Sequence, residues 1–296
     1  MSQTVTSRRQ RYWDLRAAGN FIGGGTGSGL IVVAAVAAVA GEPFRLPLAL
    51  GLGFIAAGLS LVWLEIGKPW RAFNVFFHPR TSWMTREGIV ATVLIPLGAI
   101  AVAADSVPAA VLAALLAAGF LFCQARILRA ARGIPAWRQG ELMPLILATG
   151  LAEGSGVFLL AGAHAVPWLT LTLFALLARE GAWLAYRAGL AGTPAAARAL
   201  GVFATPPARL ARAAQLAGLA AVALALGFAL LAAPGTPELP AMLLAWAGGV
   251  LAALSGWGVK ALLITRAAFI RAVVLPVVPT RGSGGRGSGG RHARPV

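Results

Sequence analysis

The chain has 296 residues, of which 58% are hydrophobic and 11% charged. Soluble domains run at roughly 45 to 50% and 25%, so a water-soluble globule is excluded and a lipid bilayer is the expected solvent. The 25 Lys and Arg against 9 Asp and Glu give a formal charge of +16, which in a soluble chain would point to nucleic acid, but these arginines stand at the ends of apolar runs and read as topological signals. The single cysteine, Cys123, makes no intrachain disulfide and is too few for an iron–sulfur cluster or a structural zinc. Metal redox chemistry would belong to a partner.

At the N-terminus, Ser7-Arg8-Arg9 resembles a twin-arginine export signal and Ala38-Val39-Ala40 its cleavage site. The apolar run between them is longer than the ~7 to 15 residues of a signal core, and Trp13-Asp14 interrupts its approach, so a retained first span is expected. Apolar runs then recur at Ala17 to Ala40, Leu46 to Leu64, Gly88 to Ala103, Val107 to Phe122, Leu142 to Ala163, Val166 to Ala185, Leu210 to Ala232 and Ala241 to Ile264. Each is about the length that crosses a bilayer. The expected fold is an all-α integral membrane protein, an eight-transmembrane-helix bundle over residues 1–275, followed by a flexible basic Gly/Ser/Arg tail over 276–296.

Counted by connection, 24 of the 25 basic residues fall on one side, including Arg179 to Arg212 and Lys260 onward; only Arg45 falls on the other, with Glu42, Asp105 and Glu238. The positive-inside rule then places both termini in the cytoplasm of a bacterial inner membrane. Within the first span, Gly19, Gly23 and Gly27 recur every four residues, as do Gly25 and Gly29. No Lys-Ser/Thr follows them and no strand precedes them, so a nucleotide loop fails, and the glycines read as stripes where another helix comes close.

The segment Glu65 to Glu87 between the second and third spans combines Trp70, Phe73, Phe77 and Trp83 with Lys68, Arg71, His78, Ser82 and Arg86. Aromatic rings of this kind lie at headgroup depth, and the same chemistry suits a quinone headgroup, which takes an aromatic slot and donors to two carbonyl oxygens. Arg86 is expected to pair locally with Glu87, which stands where a helix N-terminus favours an acid. The run Glu65-Ile66-Gly67-Lys68-Pro69-Trp70-Arg71, then Ser82-Trp83-Met84, together with Trp13-Asp14 leading into the glycine-rich first helix, resembles the membrane-anchor family of molybdopterin oxidoreductases. This is the NrfD and polysulfide-reductase type, related to the dimethyl sulfoxide reductase anchor; within it the chain looks most like anchors of the phenylacetyl-CoA:acceptor oxidoreductase kind. The resemblance covers the chain to about Arg271. It implies a subunit that docks an iron–sulfur (ferredoxin-like) protein and a molybdopterin catalytic subunit and exchanges electrons with the quinone pool, ubiquinone or menaquinone, with no haem or iron–sulfur cluster of its own. Consistent with that, none of the three histidines, His78, His164 and His292, falls within an apolar run, where a bundle haem would need its axial ligands.

Asn20 and the loop from Lys68 to Arg86 lie on the same side and can converge at the inner face. The candidate quinone-binding residues are therefore Asn20, Lys68, Arg71, His78 and Ser82, with no metal ligand. Glu153 lies ~16 Å into the fifth helix at ~1.5 Å per residue, near the midplane of the bilayer, where an ionised acid is costly unless paired; it is the candidate proton relay. Glu180, beside Arg179, reads as a member of an ion pair. The competing function is a secondary transporter, which intramembrane acids and glycine-rich helices also fit, though the two halves show no inverted repeat at the level of motifs. An intramembrane serine hydrolase fails because Ser28, Ser60 and Ser155 have no intramembrane histidine.

Overall fold

A computed structural model describes residues 3–5, 8–65, 69–162, 164–232, 238–270 and 273–275. Each of the eight apolar runs forms a helix. They are α1 (Leu15–Val39), α2 (Arg45–Glu65), α3 (Trp83–Ala103), α4 (Val107–Ala130), α5 (Leu142–Leu160), α6 (Val166–Gly192), α8 (Pro206–Leu231) and α9 (Leu239–Thr265), with a short helix, α7 (Arg198–Phe203), between α6 and α8. Seven of these, all but α6 and α7, are long and apolar enough to cross a membrane. At 27 residues α6 has the length, but Arg179, Glu180 and Arg187 dilute its apolar character. Two 3-10 segments, Pro69–Phe77 and Pro135–Arg138, lie in the connections.

Helix starts follow local chemistry. Asp14 caps α1, its carboxylate accepting from the backbone N–H of Arg16 at 2.8 Å; the hydrogen bond from the Arg16 side chain, and then this contact, hold the Asp14 carboxyl below the usual carboxylate range. Ser82 and Ser106 cap α3 and α4 in the same way.

Successive spans run in opposite directions, which gathers the basic connections at one end, called inner here. Trp137 Nε1 donates to Leu263 O at 3.1 Å and Tyr186 Oη to Ala136 O at 3.1 Å. These bonds tie the Pro135–Arg138 segment to the inner ends of α6 and α9. The described segments nearest the two ends of the chain lie there too. A two-stranded antiparallel ribbon pairs β1 (Gln3–Val5) with β2 (Val273–Leu275), and the Gln10 side chain donates to Ile264 O at 3.1 Å. At the outer end Arg45 Nε donates to Val102 O at 2.8 Å.

The bundle is built around α1, whose most apolar window is 78% buried, against 28% for α2 and α3 and 22% for α8. The glycines of α1 set the packing: a Cβ at Gly23 would overlap Phe54 O, one at Gly27 would overlap Gly51 O, and one at Gly29 would overlap Gly150 O. The stripes thus let α1 approach α2 on one side and α5 on another at backbone distance. The tail 276–296 and Lys68 lie outside the described residues.

Candidate functional site

Residues four apart share a helix face, so α1 presents three different surfaces. Gly19, Gly23 and Gly27 meet α2. Asn20, Gly24 and Ser28 form a second stripe, which meets α4: a Cβ at Gly24 would overlap the amide of Gln124. Gly25 and Gly29 form the third, toward α5 and α9, where a Cβ at Gly25 would overlap Lys260 Nζ. Adjacent glycines of one helix therefore admit two separate groups of buried polar side chains.

The first group lies near the inner end between α1, α3 and α4. Gln124 Nε2 donates to the backbone carbonyl of Asn20 at 3.0 Å, and the amides of Gln124 and Asn20 flank the Glu87 carboxyl group within hydrogen-bonding reach. Asn20 and Glu87 are each 5% exposed and Gln124 is fully buried. One oxygen on each, Asn20 Oδ1, Glu87 Oε1 and Gln124 Oε1, has no hydrogen-bond partner in the protein. Three unsatisfied oxygens in one buried place call for a bound polar group or water. Beside them Trp83 is sandwiched between two guanidinium groups, Arg86 at 4.1 Å and Arg126 at 4.5 Å from the ring centre, and meets Phe122 edge-on at 5.8 Å.

The expected Arg86–Glu87 pair is replaced. Arg86 turns outward and donates to Pro79 O at 2.8 Å and Arg80 O at 3.0 Å, while Glu87, the next residue and so about 100° around the helix, turns into the bundle.

Of the five residues expected to bind quinone, Asn20 enters this buried group. Ser82 stands at the start of α3, where its hydroxyl accepts from Thr85 N at 3.2 Å, one and a half turns below Glu87. His78 is exposed, and its backbone carbonyl accepts from Thr81 N and Ser82 N. Lys68 lies outside the described residues; Arg71 lies in the Pro69–Phe77 segment, and its side chain is not described. Glu87 and Gln124 were not among the sequence candidates. An acid four residues into an apolar helix, with a glutamine near the end of the next, is the signal that pointed to them.

The second group lies deeper. Lys260 Nζ on α9 donates to Glu153 Oε2 on α5 at 2.6 Å. Thr26 Oγ1 donates to the same oxygen at 2.9 Å, and Trp257 Nε1 donates to Thr26 Oγ1 at 2.9 Å. Glu153 Oε1 has no partner in the protein, and a Cβ at Gly256 would overlap it. Next to the pair, Arg179 NH1 donates to Ser255 Oγ at 2.8 Å and Ala252 O at 3.2 Å, and Ser255 Oγ donates to Gln215 Oε1 at 3.3 Å. Glu180 forms a forked ion pair with Arg212 of α8.

One sequence reading changes here. Lys260 and Arg179, counted with the basic connections, are 0% and 2% exposed inside the bundle, which leaves 22 of the 24 as topological charges. Glu153, expected to be protonated or paired, has Lys260 as its partner, and a buried carboxylate with a hydrogen-bonded cation is the arrangement that makes such burial tolerable.

A cavity of about 1550 Å³ lies at the outer end, lined by Glu42, Arg45, Asp105, His164, Glu238, Phe158 and Trp168 among others. His164 Nε2 stands 3.9 Å from Glu238. Among the described residues no group of three or more His, Cys, Asp or Glu side chains is placed to hold a metal. No protein-family model matches the chain, and no curated protein is similar to it in sequence.

Proposed function

We propose that this protein is the quinone-reactive membrane subunit of a molybdopterin and iron–sulfur oxidoreductase, of the NrfD and polysulfide-reductase kind, with the headgroup in the pocket of Asn20, Glu87 and Gln124. The observation that carries the reading is the set of three unpartnered oxygens in that pocket beside the aromatic and basic wall of Trp83, Arg86 and Arg126. A quinone carbonyl accepts from an amide N–H, a quinol hydroxyl donates to an oxygen, and an acid beside both can give or take the proton that accompanies reduction. Asn20, Gln124 and Glu87 supply those groups. In this reading His78, in the adjoining connection, lies on the route from the cytoplasm, Arg71 and Lys68 of the same connection keep their expected role in binding the headgroup, and Glu153 relays protons from deeper in the bundle.

In this reading α6 is the eighth span, its charges tolerated because Arg179 is bonded within the bundle and Glu180 is paired. Both termini are cytoplasmic, the membrane is the bacterial inner membrane, and the iron–sulfur partner docks on the basic inner face, close to the pocket. The test is saturable binding of a short-chain ubiquinone to the purified chain in lipid nanodiscs, read by quenching of tryptophan fluorescence. Binding that is absent, or unchanged in Glu87→Ala and Asn20→Ala, overturns the reading.

The competing reading, a secondary transporter, draws on the outer cavity and the buried charges beneath it. It requires a solute to move across sealed vesicles containing the chain alone, which the quinone reading does not.

A further inference from the structure

Nine buried polar atoms among the described residues have no hydrogen-bond partner in the protein, and six of them gather around α1: Asn20 and Ser28 on α1 itself, Gln124, Thr149 and Glu153 on α4 and α5, which pack against it, and Glu87 on α3, which packs on α4. All six side chains are at least nine-tenths buried. Buried polar groups in native proteins are paired with protein or with water almost without exception, so so many around a single helix mark a hydrated interior. We propose that a file of bound water molecules runs along α1 and joins Glu87 to the Glu153–Lys260 pair, so that the two buried acids exchange a proton.

The placement of the residues gives the file its course. Asn20 and Ser28 lie on the stripe of α1 that meets Gln124, with Gly24 between them; because Gly24 has no side chain, the Gln124 amide reaches the α1 backbone there. Thr149 lies one turn below Glu153 on the same face of α5. Gly25, directly after Gly24, faces Lys260, and Gly150 of α5 packs on the Gly25 carbonyl. The two polar groups therefore meet α1 at neighbouring residues, and the hydroxyls of Ser28 and Thr149, unpartnered in the protein, are free to serve among the two to four partners a bound water needs. A proton leaving one carboxyl oxygen is taken by the adjacent water, each water passes one of its own onward, and the last delivers one to the other carboxylate. No atom is consumed and no electron moves.

A separate cavity of about 20 Å³ lies among Arg179, Glu180, Arg212 and Gln215 and is not lined by Glu153. It has room for about one water, and Arg179, which lines it, is a guanidinium that does not give up its proton.

The chain has only two lysines, Lys68 and Lys260, so ¹⁵N-lysine labelling of a Lys68→Arg chain in lipid bilayers isolates Lys260. Solid-state NMR then reads magnetisation transfer from water protons to its Nζ. The expected result is transfer in the Lys68→Arg chain that falls by roughly tenfold with Ser28→Val and Thr149→Val, which remove the hydroxyls that hold the waters, and that stays intact with Gln215→Leu. If the double variant does not fold, Thr149→Val alone carries the test. No transfer to Lys260, transfer kept in the hydroxyl variants, or transfer lost equally in Gln215→Leu, overturns the file.

The file deepens the quinone reading by giving that pocket an internal proton store, yet the measurement uses no quinone. Transfer intact with no quinone binding would sink the pocket assignment alone, and quinone binding without transfer would sink the file alone.

Discussion

Lys260 and Glu153 meet at 2.6 Å with side chains 1% and 0% exposed, and Arg179 lies close enough for its charge to act on both. The arrangement buries two cations beside one carboxylate in an apolar bundle. Removing one member of a buried pair leaves an uncompensated charge, which typically costs about 3 to 5 kcal/mol, whereas replacing both with apolar groups is often close to neutral. Lys260→Met and Glu153→Gln should each lower the thermal unfolding midpoint strongly, and Lys260→Met with Glu153→Leu should recover much of the loss. A double variant as unstable as the sum of the singles would show that the two side chains do not interact.

The contact between α1 and α5 rests on Gly29 and Gly154, each of which would place a Cβ onto backbone atoms of the other helix. Backbone cannot swing aside as a side chain can, so Gly154→Ala should cost about 1 to 3 kcal/mol by overpacking. Gly53, whose Cβ would meet nothing within 4 Å, is the control: Gly53→Ala should leave the unfolding midpoint unchanged or raise it.

Quinone affinity should depend on the pocket more than on the exposed connection. Loss of one hydrogen bond costs about 0.5 to 1.5 kcal/mol, so Asn20→Ala and Glu87→Ala should each weaken short-chain ubiquinone binding by roughly 3- to 10-fold. His78→Ala, at an exposed position, should slow quinone turnover in the assembled complex and leave artificial-acceptor activity of its partners intact. Unchanged quinone kinetics in both His78→Ala and Asn20→Ala would move the site elsewhere.

Topology is open to direct measurement. Reporter fusions at Arg45, Asp105 and Glu238 should read outside, and fusions at Arg132 and Arg198 inside. The Arg198 fusion tests α6 as a span, because the positive-inside assignment of that connection holds only if α6 crosses.

Much of the bundle was legible in the order of residues. Eight apolar runs became eight helices whose ends differ by at most eight residues, because hydrophobic length and flanking polarity act locally. The glycine stripes of α1 were legible as close-approach surfaces for the same reason: a four-residue period is a property of one helix. Asn20 was legible as a polar residue at the inner start of a span, and Glu153 as an acid too deep to stand alone.

Partners were not legible. Lys260 falls near the end of the last apolar run, and by position it looked like one more basic residue at the membrane surface; only the packing of α9 against α5 and α1 shows that it points inward to Glu153. Glu87 looked like a helix-start acid beside Arg86, and the direction of its side chain was decided by how α3 rotates against α4, where Gln124 and Asn20 offer amides. The sequence by itself determined a membrane-embedded helical chain and the depth of its polar residues, since transfer from water to lipid is summed along each segment. Which polar residues face one another is a matter of helix rotation and neighbour choice. Those are settled by contacts between residues as far apart as Thr26 and Trp257, and so they were decided only by the tertiary structure.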